Sequence, residues 1–242
     1  MPAAARPLAS IEARGAIRVC AHPNALPFAS RANTPPGFQI EIARALAREL
    51  GVSLDIAWVI APVQYRSAEC DIVMDTILNE DVQSEGRVKV SRPYYRSGVA
   101  LALPSKVDGV RSFADVADKR IGVMAGSVAQ MVLGQRGFRT SPFGFEDEMM
   151  EALSQGSIDG AAVSAATIGY FNKTQPSRAV TLVYAYEREP SLSWDVAVGM
   201  RGADDKLVRK VDAALAALLA AGTIRDIYAQ YGIDYRAPPG AP

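Results

Sequence analysis

Phe38, Ile42, Leu46 and Leu50 recur at steps of four, with Glu41, Arg44 and Arg48 between them. That spacing predicts an amphipathic helix opening at Gly37. Gly51 follows the last apolar position, where a left-handed residue commonly closes a helix. Before this helix, Ile17 to Ala21 reads as a strand, and a Pro- and Asn-bearing loop follows from His22 to Pro36. After it, Leu54 to Ile60 reads as a second strand, Pro62 to Ala68 as one or two helical turns, and Asp71 to Met74 as a third strand. Strand, helix, strand, helix, strand argues for a parallel sheet with right-handed crossovers.

The pattern then starts again. Ser97 to Leu103 is an apolar strand ended by Pro104, and Ser112 caps a short helix over Ala114 to Ala117. Arg120 to Met124 is a strand, and Ala125-Gly126-Ser127 leads into a helix from Val128 towards Gly134. Glu146 to Gln155 reads as a helix ended by Gly156, Ile158 to Val163 as a strand, Ala165 to Asn172 as a helix and Val180 to Val183 as a strand. Trp194 to Met200 is a long apolar strand. Leu207 to Gly232 is one helix, or two broken at Gly222, with Val211, Leu215, Leu218 and Leu219 on its apolar face. The chain is thus expected to visit one α/β lobe, cross to a second and return. Lobe 1 takes residues 1–102 and 196–242 and lobe 2 takes 103–195. Two crossing strands make a hinge, with a cleft between the lobes.

Composition narrows the function. With 242 residues, 49% of them hydrophobic, the chain can build two lobes of about 100 residues each. Its 26 basic residues balance 26 acidic ones, which leaves no electrostatic footprint for nucleic acid or an anionic membrane. One His and two Cys cannot make a four-ligand zinc site without carboxylates, and no apolar run is long enough for a membrane-spanning helix. Met1-Pro2-Ala3-Ala4-Ala5 reads as a mature chain given an artificial start methionine, so the signal peptide of a secreted protein is expected to be absent from this sequence. Arg236 to Pro242 reads as a disordered end.

Several blocks carry a resemblance. They are Ile17-Arg18-Val19, Pro27-Phe28, Gly37-Phe38, Cys70-Asp71-Ile72-Val73, Arg92-Pro93-Tyr94-Tyr95 and Ile121-Gly122-Val123 with Ala125-Gly126-Ser127. Gly156-Ser157-Ile158-Asp159-Gly160 and Ala221-Gly222-Thr223-Ile224 with Ile227-Tyr228 complete them. In this order they resemble the type II periplasmic binding protein fold, in its polar amino-acid-binding branch, from about Ile17 to about Tyr235. That resemblance implies an α/β fold of two lobes, each a mainly parallel sheet flanked by helices, joined by two strands. A narrower set, Val19 to Phe28, Cys70 to Met74, Arg92 to Ser97 and Trp194 to Arg201, resembles the J proteins encoded beside PQQ-dependent methanol dehydrogenases, MxaJ and XoxJ, and sits nearer XoxJ. The resemblance implies a monomeric, non-catalytic periplasmic accessory protein with no cofactor or metal of its own. Its implied partner is a methanol dehydrogenase of the XoxF or MxaF type, of the lanthanide-dependent kind by its nearness to XoxJ, with the cytochrome c of that system as a further partner. Two departures stand out: only Ala61 to Glu69 fills the connection before the third strand, and Asp75 to Arg87 forms a polar loop with four carboxylates after it.

Gripping a zwitterion takes an Arg for the carboxylate and an acid for the ammonium. By resemblance the Arg follows the third strand, where this chain has Asn79-Glu80-Asp81-Val82-Gln83, and the acid ends a strand of the second lobe, where it has Ser164. The helix start at Gly126 and Ser127 still offers N–H groups to an anion. The expectation is a cleft that binds no free amino acid.

Each remaining candidate has a functional and a plain reading. Cys20 and Cys70 form a disulfide if the compartment is oxidising, or stay as buried thiols if their strand offset exceeds the roughly 7 Å Cα limit. His22 and Asn24 follow the first strand, at the edge where ligands bind in open α/β sheets. His22 is a cleft or pH-sensitive partner contact, or a loop histidine. Phe28, Tyr95, Arg96 and Trp194 line the cleft or meet a partner, or else serve core and solvent; Tyr94 reads as core. Asp75, Glu80, Asp81 and Glu85 collect a hard cation or act as acid and base, or form a solvated loop; Asp75 and Thr76 are also cleft or partner-contact candidates. Arg87 and Arg92 are partner contacts or solvated charges. Two functions compete with the accessory role: the solute-binding component of an ABC importer for a small apolar or aromatic molecule, and an enzyme resembling dehydratases of prephenate-like acids. The latter needs cationic groups for two carboxylates plus an acid, and no Arg pair is placed for it.

Overall fold

Short apolar runs broken by Gly, Pro and Asn give a chain of short strands and helices, and the computed structural model describes residues 7–32, 34–78, 88–105 and 107–239. The first half contains α1 (Leu8–Arg14), β1 (Ala16–Ala21), β2 (Asn24–Ala25), β3 (Ala29–Ser30), α2 (Phe38–Glu49), β4 (Ser53–Trp58), a 3-10 turn (Pro62–Tyr65), β5 (Ile72–Ile77), β6 (Val88–Val90) and β7 (Tyr95–Leu103). A second 3-10 turn (Phe113–Val116), β8 (Arg120–Met124), α3 (Val128–Gln135), β9 (Arg139–Phe143), α4 (Glu146–Ser154), β10 (Gly160–Ser164) and α5 (Ala165–Thr174) come next. The chain ends through β11 (Thr181–Val183), β12 (Ser193–Arg201), α6 (Asp205–Ala220) and α7 (Thr223–Gln230).

The described chain divides into two units: Met1–Arg96 with Asp195–Gln230 and Tyr235–Pro242, and Ser97–Trp194 with Tyr231–Asp234. In the first unit β4, β1 and β5 run parallel, with Ile17 opposite Leu54 and Cys20 opposite Val73. β12 pairs antiparallel with β5, and β6 with β12. Phe38, Ile42 and Leu46 of α2 are fully buried, as their spacing requires, together with Val211 and Leu215 of α6 and Ile224 and Tyr228 of α7. Gly37 starts α2 at φ +94, and a Cβ there would meet the Phe28 carbonyl oxygen at 2.4 Å. Only glycine fits that close approach.

In the second unit β8 lies parallel to both β9 and β10, while β7 runs antiparallel to β10 and β11. Ile121, Val123, Leu133, Met149, Leu153 and Ile168 fill its core between sheet and helices. Each unit therefore carries three parallel strands with helical crossovers, as the alternating pattern predicts. Four elements lack a sequence signal of their own: α1, the small β2–β3 hairpin, β6 and β9, whose run Arg139-Thr140-Ser141-Pro142-Phe143 is largely polar. Among the described residues no helix is long and apolar enough to cross a membrane.

Candidate functional site

Ligands of open α/β sheets bind outside the carboxyl ends of the strands, and the candidate residues of each unit gather at that edge. In the first unit, β1 ends at Ala21 and His22 follows. Its Nδ1 accepts the Asn24 N–H at 3.1 Å, so one ring nitrogen is spent on shaping the turn. Among the described residues no group of His, Cys, Asp and Glu is arranged to hold a metal. Cys20 and Cys70 are joined as a disulfide with Cα atoms 5.5 Å apart. The strand offset closes because Cys70 sits in the turn just before β5, and both residues are buried.

The polar loop expected from Asp75 begins later than the sequence suggested, because β5 continues through Ile77. Asp75 is not a solvated loop carboxylate. Tyr94 Oη donates to Asp75 Oδ1, Gln39 Nε2 donates to Oδ2 at 2.9 Å, and the Asp75 N–H donates to Tyr94 Oη at 3.1 Å. Burial pushes the Asp75 carboxyl pKa up, and the hydrogen bonds from Tyr94 and Gln39 pull it partly back. Burial, with the Asp75 charge beside it, also holds the Tyr94 phenol well above its ordinary range. These oxygens are committed to protein donors and are poorly placed to collect a cation. Thr76 Oγ1 donates to the Val73 carbonyl at 3.3 Å. Asn79, Glu80, Asp81, Gln83, Glu85 and Arg87 lie outside the described residues.

The aromatic candidates divide. Tyr95 is 4% exposed and stacks on Tyr228 with ring centroids 4.5 Å apart, so it serves the core. The Phe28 ring lies 5.2 Å from that of Phe38 and is half-buried. Trp194 packs, half-buried, against the core of the second unit. Arg96 is not simply solvated, since its guanidinium donates to Asp195 Oδ1 at 3.1 Å.

In the second unit the α3 start is occupied from within. Ser127 Oγ accepts the Gln130 N–H at 3.1 Å, and the Gly126 N–H donates to Gln130 Oε1 at 2.7 Å. The side chain of Gln130 thus takes a donor that was expected to face an anion. Ser164 ends β10 and caps α5, its Oγ accepting the Thr167 N–H at 3.1 Å. Its own N–H donates to Glu146 Oε1 at 2.9 Å and its hydroxyl to Glu146 Oε2 at 2.8 Å, while the Thr167 hydroxyl also donates to Oε2. Glu146 escapes a sequence reading because it stands in the first turn of α4, where an acid is expected simply from the helix dipole.

One further feature has no counterpart among the sequence candidates. Among the described residues the large apolar side chains left exposed are Ile60, Val63, Ile77, Val128, Met131 and Phe145. Ile60 and Val63 follow β4 and Ile77 ends β5 in the first unit. Val128 and Met131 follow β8 and Phe145 follows β9 in the second. In each unit the apolar exposure is therefore concentrated at the carboxyl ends of the parallel strands. Each of these residues is unremarkable singly; their shared position is what suggests a binding edge.

Known proteins share this architecture. ABC transporter arginine-binding protein 1 of Escherichia coli (strain K12) is 24% identical over 204 residues, covering 81% of each chain. The L-cystine-binding protein TcyJ of the same strain is 26% identical over 196 residues, covering 78% of this chain and 71% of its own. An ancestral cationic amino acid solute-binding protein superposes with TM-score 0.78 at 23% identity, over 93% of this chain and 99% of the other. MxaJ from Methlophaga aminisulfidivorans MPT gives 0.74 at 19% identity, over 91% of this chain and all of the other. The periplasmic binding protein XoxJ from Methylobacterium extorquens AM1 gives 0.72 at 23%, over 92% of this chain and all of the other. The two-lobed type II binding-protein fold and the likeness to MxaJ and XoxJ expected from the sequence are both borne out. The model of the bacterial extracellular solute-binding proteins, family 3, matches residues 17–234, and the chain belongs to that family.

Proposed function

We propose that this protein is a non-catalytic periplasmic accessory protein that binds a PQQ-dependent methanol dehydrogenase of the lanthanide-dependent type and assists its maturation or activation. The observation that carries the reading is at Ser164. The strand end that bears an acid in the amino-acid-binding branch, by the resemblance of the blocks, is here uncharged, and the carboxylate that reaches it is already held by three protein donors. The polar groups at the α3 start and at Asp75 are engaged internally too. Among the described residues each unit exposes large apolar side chains at its strand ends, which suits a protein surface better than a free zwitterion. The blocks shared with J proteins supply the partner, and the Cys20–Cys70 disulfide agrees with an oxidising compartment.

Two measurements test the proposal. The chain is expected to co-elute with the purified dehydrogenase and raise its activity, and calorimetry against the twenty amino acids is expected to give no heat of binding. Failure to co-elute, together with micromolar binding to any amino acid, overturns it.

One observation favours a second reading, solute capture for an importer. Glu146 brings a carboxyl group to the β10 end, and relatives named for binding arginine and L-cystine share the family. A ligand-dependent rise in melting temperature supports that reading.

A further inference from the structure

The turns after β8 and β9 leave the second unit's sheet side by side. Met124 is paired with Phe143, and the Ala125 N–H donates to the Phe143 carbonyl at 2.9 Å. Val128 opens α3, Met131 lies one turn along the same helix face, and Phe145 stands immediately before α4. Their exposures of 45%, 56% and 55% are high for side chains of this kind.

The charge at this edge is mainly acidic. Arg120 and Arg139 open β8 and β9 at the far end of the strands and Lys173 lies in the last turn of α5, while the carboxyl ends of the strands and the turns and helix starts that follow them, residues 121–131, 140–151 and 160–168, contain Glu146, Asp147, Glu148 and Glu151 and no Lys or Arg. Glu151 is paired with Arg178 at 2.7 Å, and Glu146 is held by Ser164 and Thr167. Asp147 and Glu148 are exposed beside Phe145 in the chain. The Gly126 and Gln130 N–H groups at the α3 start are taken by the side chains of Gln130 and Ser127.

We infer that Val128, Met131 and Phe145 form a docking surface for a basic, apolar segment of a protein partner, with Asp147 and Glu148 facing its Lys or Arg side chains. The inference rests on the accessory reading for its partner and adds the residues that meet it and the character of what they meet. Charge decides between occupants. An anionic lipid surface is repelled by Asp147 and Glu148, and a second copy placed face to face sets carboxylate against carboxylate. A cationic apolar segment satisfies both parts, and Met131 adapts to its shape.

The test uses the full chain labelled at its methionine methyl groups. It is titrated with a short synthetic peptide of alternating Leu and Lys and with the matching Leu–Glu peptide. The Lys peptide is expected to shift the Met131 methyl resonance, and the Glu peptide to leave it in place. The exposed pair Met131→Ser with Phe145→Ser is expected to weaken binding by about tenfold or more, the scale of an interface anchor. Asp147→Lys with Glu148→Lys is expected to reverse the peptide preference. No shift, equal binding of the two peptides, or unchanged affinity in both variants overturns the inference. The same variants are then tried on the purified dehydrogenase. Full-strength binding by Met131→Ser with Phe145→Ser overturns the docking surface and leaves the accessory reading standing. A chain that binds the Lys peptide through these residues but never the dehydrogenase overturns the accessory reading alone.

Discussion

Tyr94 and Asp75 are bound in both directions: the phenol donates to the carboxylate Oδ1, and the Asp75 backbone N–H donates back to the phenol oxygen at 3.1 Å. Asp75 also has a positive φ of 51, a region that Asp tolerates better than most residues. Its carboxyl pKa is raised by burial against the hydrogen bonds that lower it. A raised folded-state pKa means that the folded chain holds the proton more tightly than the unfolded one. This group's contribution to stability is therefore fully present below the ordinary carboxylate range and is lost as pH rises through the folded-state value. Asp75→Asn keeps an acceptor for Tyr94 and removes the buried charge. It is expected to be at least as stable as the parent at pH 7 and to show a smaller rise in melting temperature from pH 7 to pH 5. An unchanged pH slope in the variant contradicts this. Tyr94→Phe, which leaves Asp75 short of a donor, is expected to cost about 1–3 kcal/mol.

The Cys20–Cys70 bridge closes a sequence separation of 50 residues and ties the end of β1 to the turn before β5. A crosslink of that span restrains the unfolded chain, and its removal is expected to cost about 2–4 kcal/mol. Urea unfolding of the oxidised chain, the reduced chain and Cys20→Ser with Cys70→Ser measures it. The reduced chain and the double variant are expected to unfold at the same lower midpoint. A midpoint unmoved by reduction rules the crosslink out as a source of stability.

Much of the fold is legible in the residues, because burial periodicity is a local property. The step of four at Phe38, Ile42 and Leu46 sets α2, and the apolar runs at Ile17 and Ile121 set β1 and β8. β9 is not legible, since its residues pair with β8 through the backbone and bury little side chain. Nor does any local signal place Tyr231–Asp234 with the second unit, where Tyr184 Oη donates to Asp234 Oδ2 at 2.8 Å across 50 residues of sequence. The site is harder to read for the same reason. Ser164 marks the strand end, but the side chain that fills its surroundings, Glu146, comes from another element 18 residues away. Gln130 at the α3 start could have been read, because Ser127-x-x-Gln130 has the capping-box spacing in which the third helical side chain turns back to an N–H at the helix start, here that of Gly126.

Gly199 on β12 pairs with Val73 of β5 and Ala197 with Thr76, and a register shift falls between Ala197 and Gly199. A Cβ at Gly199 would lie 2.4 Å from Thr76 Oγ1 and 3.2 Å from its Cβ. Gly199→Ala therefore forces Thr76 or the strand to move and is expected to cost about 1–3 kcal/mol, as overpacking does. Thr76→Ala removes the hydroxyl and methyl that clash. The double variant is expected to recover part of the loss, giving a coupling energy of about 1 kcal/mol in a double-mutant cycle. Strict additivity of the two changes, measured by denaturant unfolding, contradicts a direct contact between these positions.

Glu146 and Ser164 give the prediction closest to function. Glu146→Ala leaves the Ser164 N–H and two hydroxyls without their acceptor in a partly buried place, and is expected to cost about 1–3 kcal/mol. Glu146→Gln keeps one acceptor oxygen for the Ser164 N–H, and the hydroxyls can rotate to accept from its amide, so its cost is expected to be smaller. Ser164→Asp introduces a second carboxylate where the Ser164 hydroxyl now sits 2.8 Å from Glu146 Oε2. Two carboxylates that close cannot both ionise without penalty. Ser164→Asp is therefore expected to be less stable than the parent at pH 7 and to regain stability at pH 4.5, where protonation of one carboxyl relieves the repulsion. Adding Glu146→Gln to Ser164→Asp removes the repulsion outright and is expected to raise the melting temperature at pH 7 above that of Ser164→Asp alone. It also leaves a single carboxylate at the β10 end, borne by the strand itself. If the three donors around Glu146 are what withholds its charge from a free amino acid, calorimetry with arginine gives heat with this double variant and none with the parent. Heat from the parent at the same concentrations shows that the clasped carboxylate is still open to a ligand.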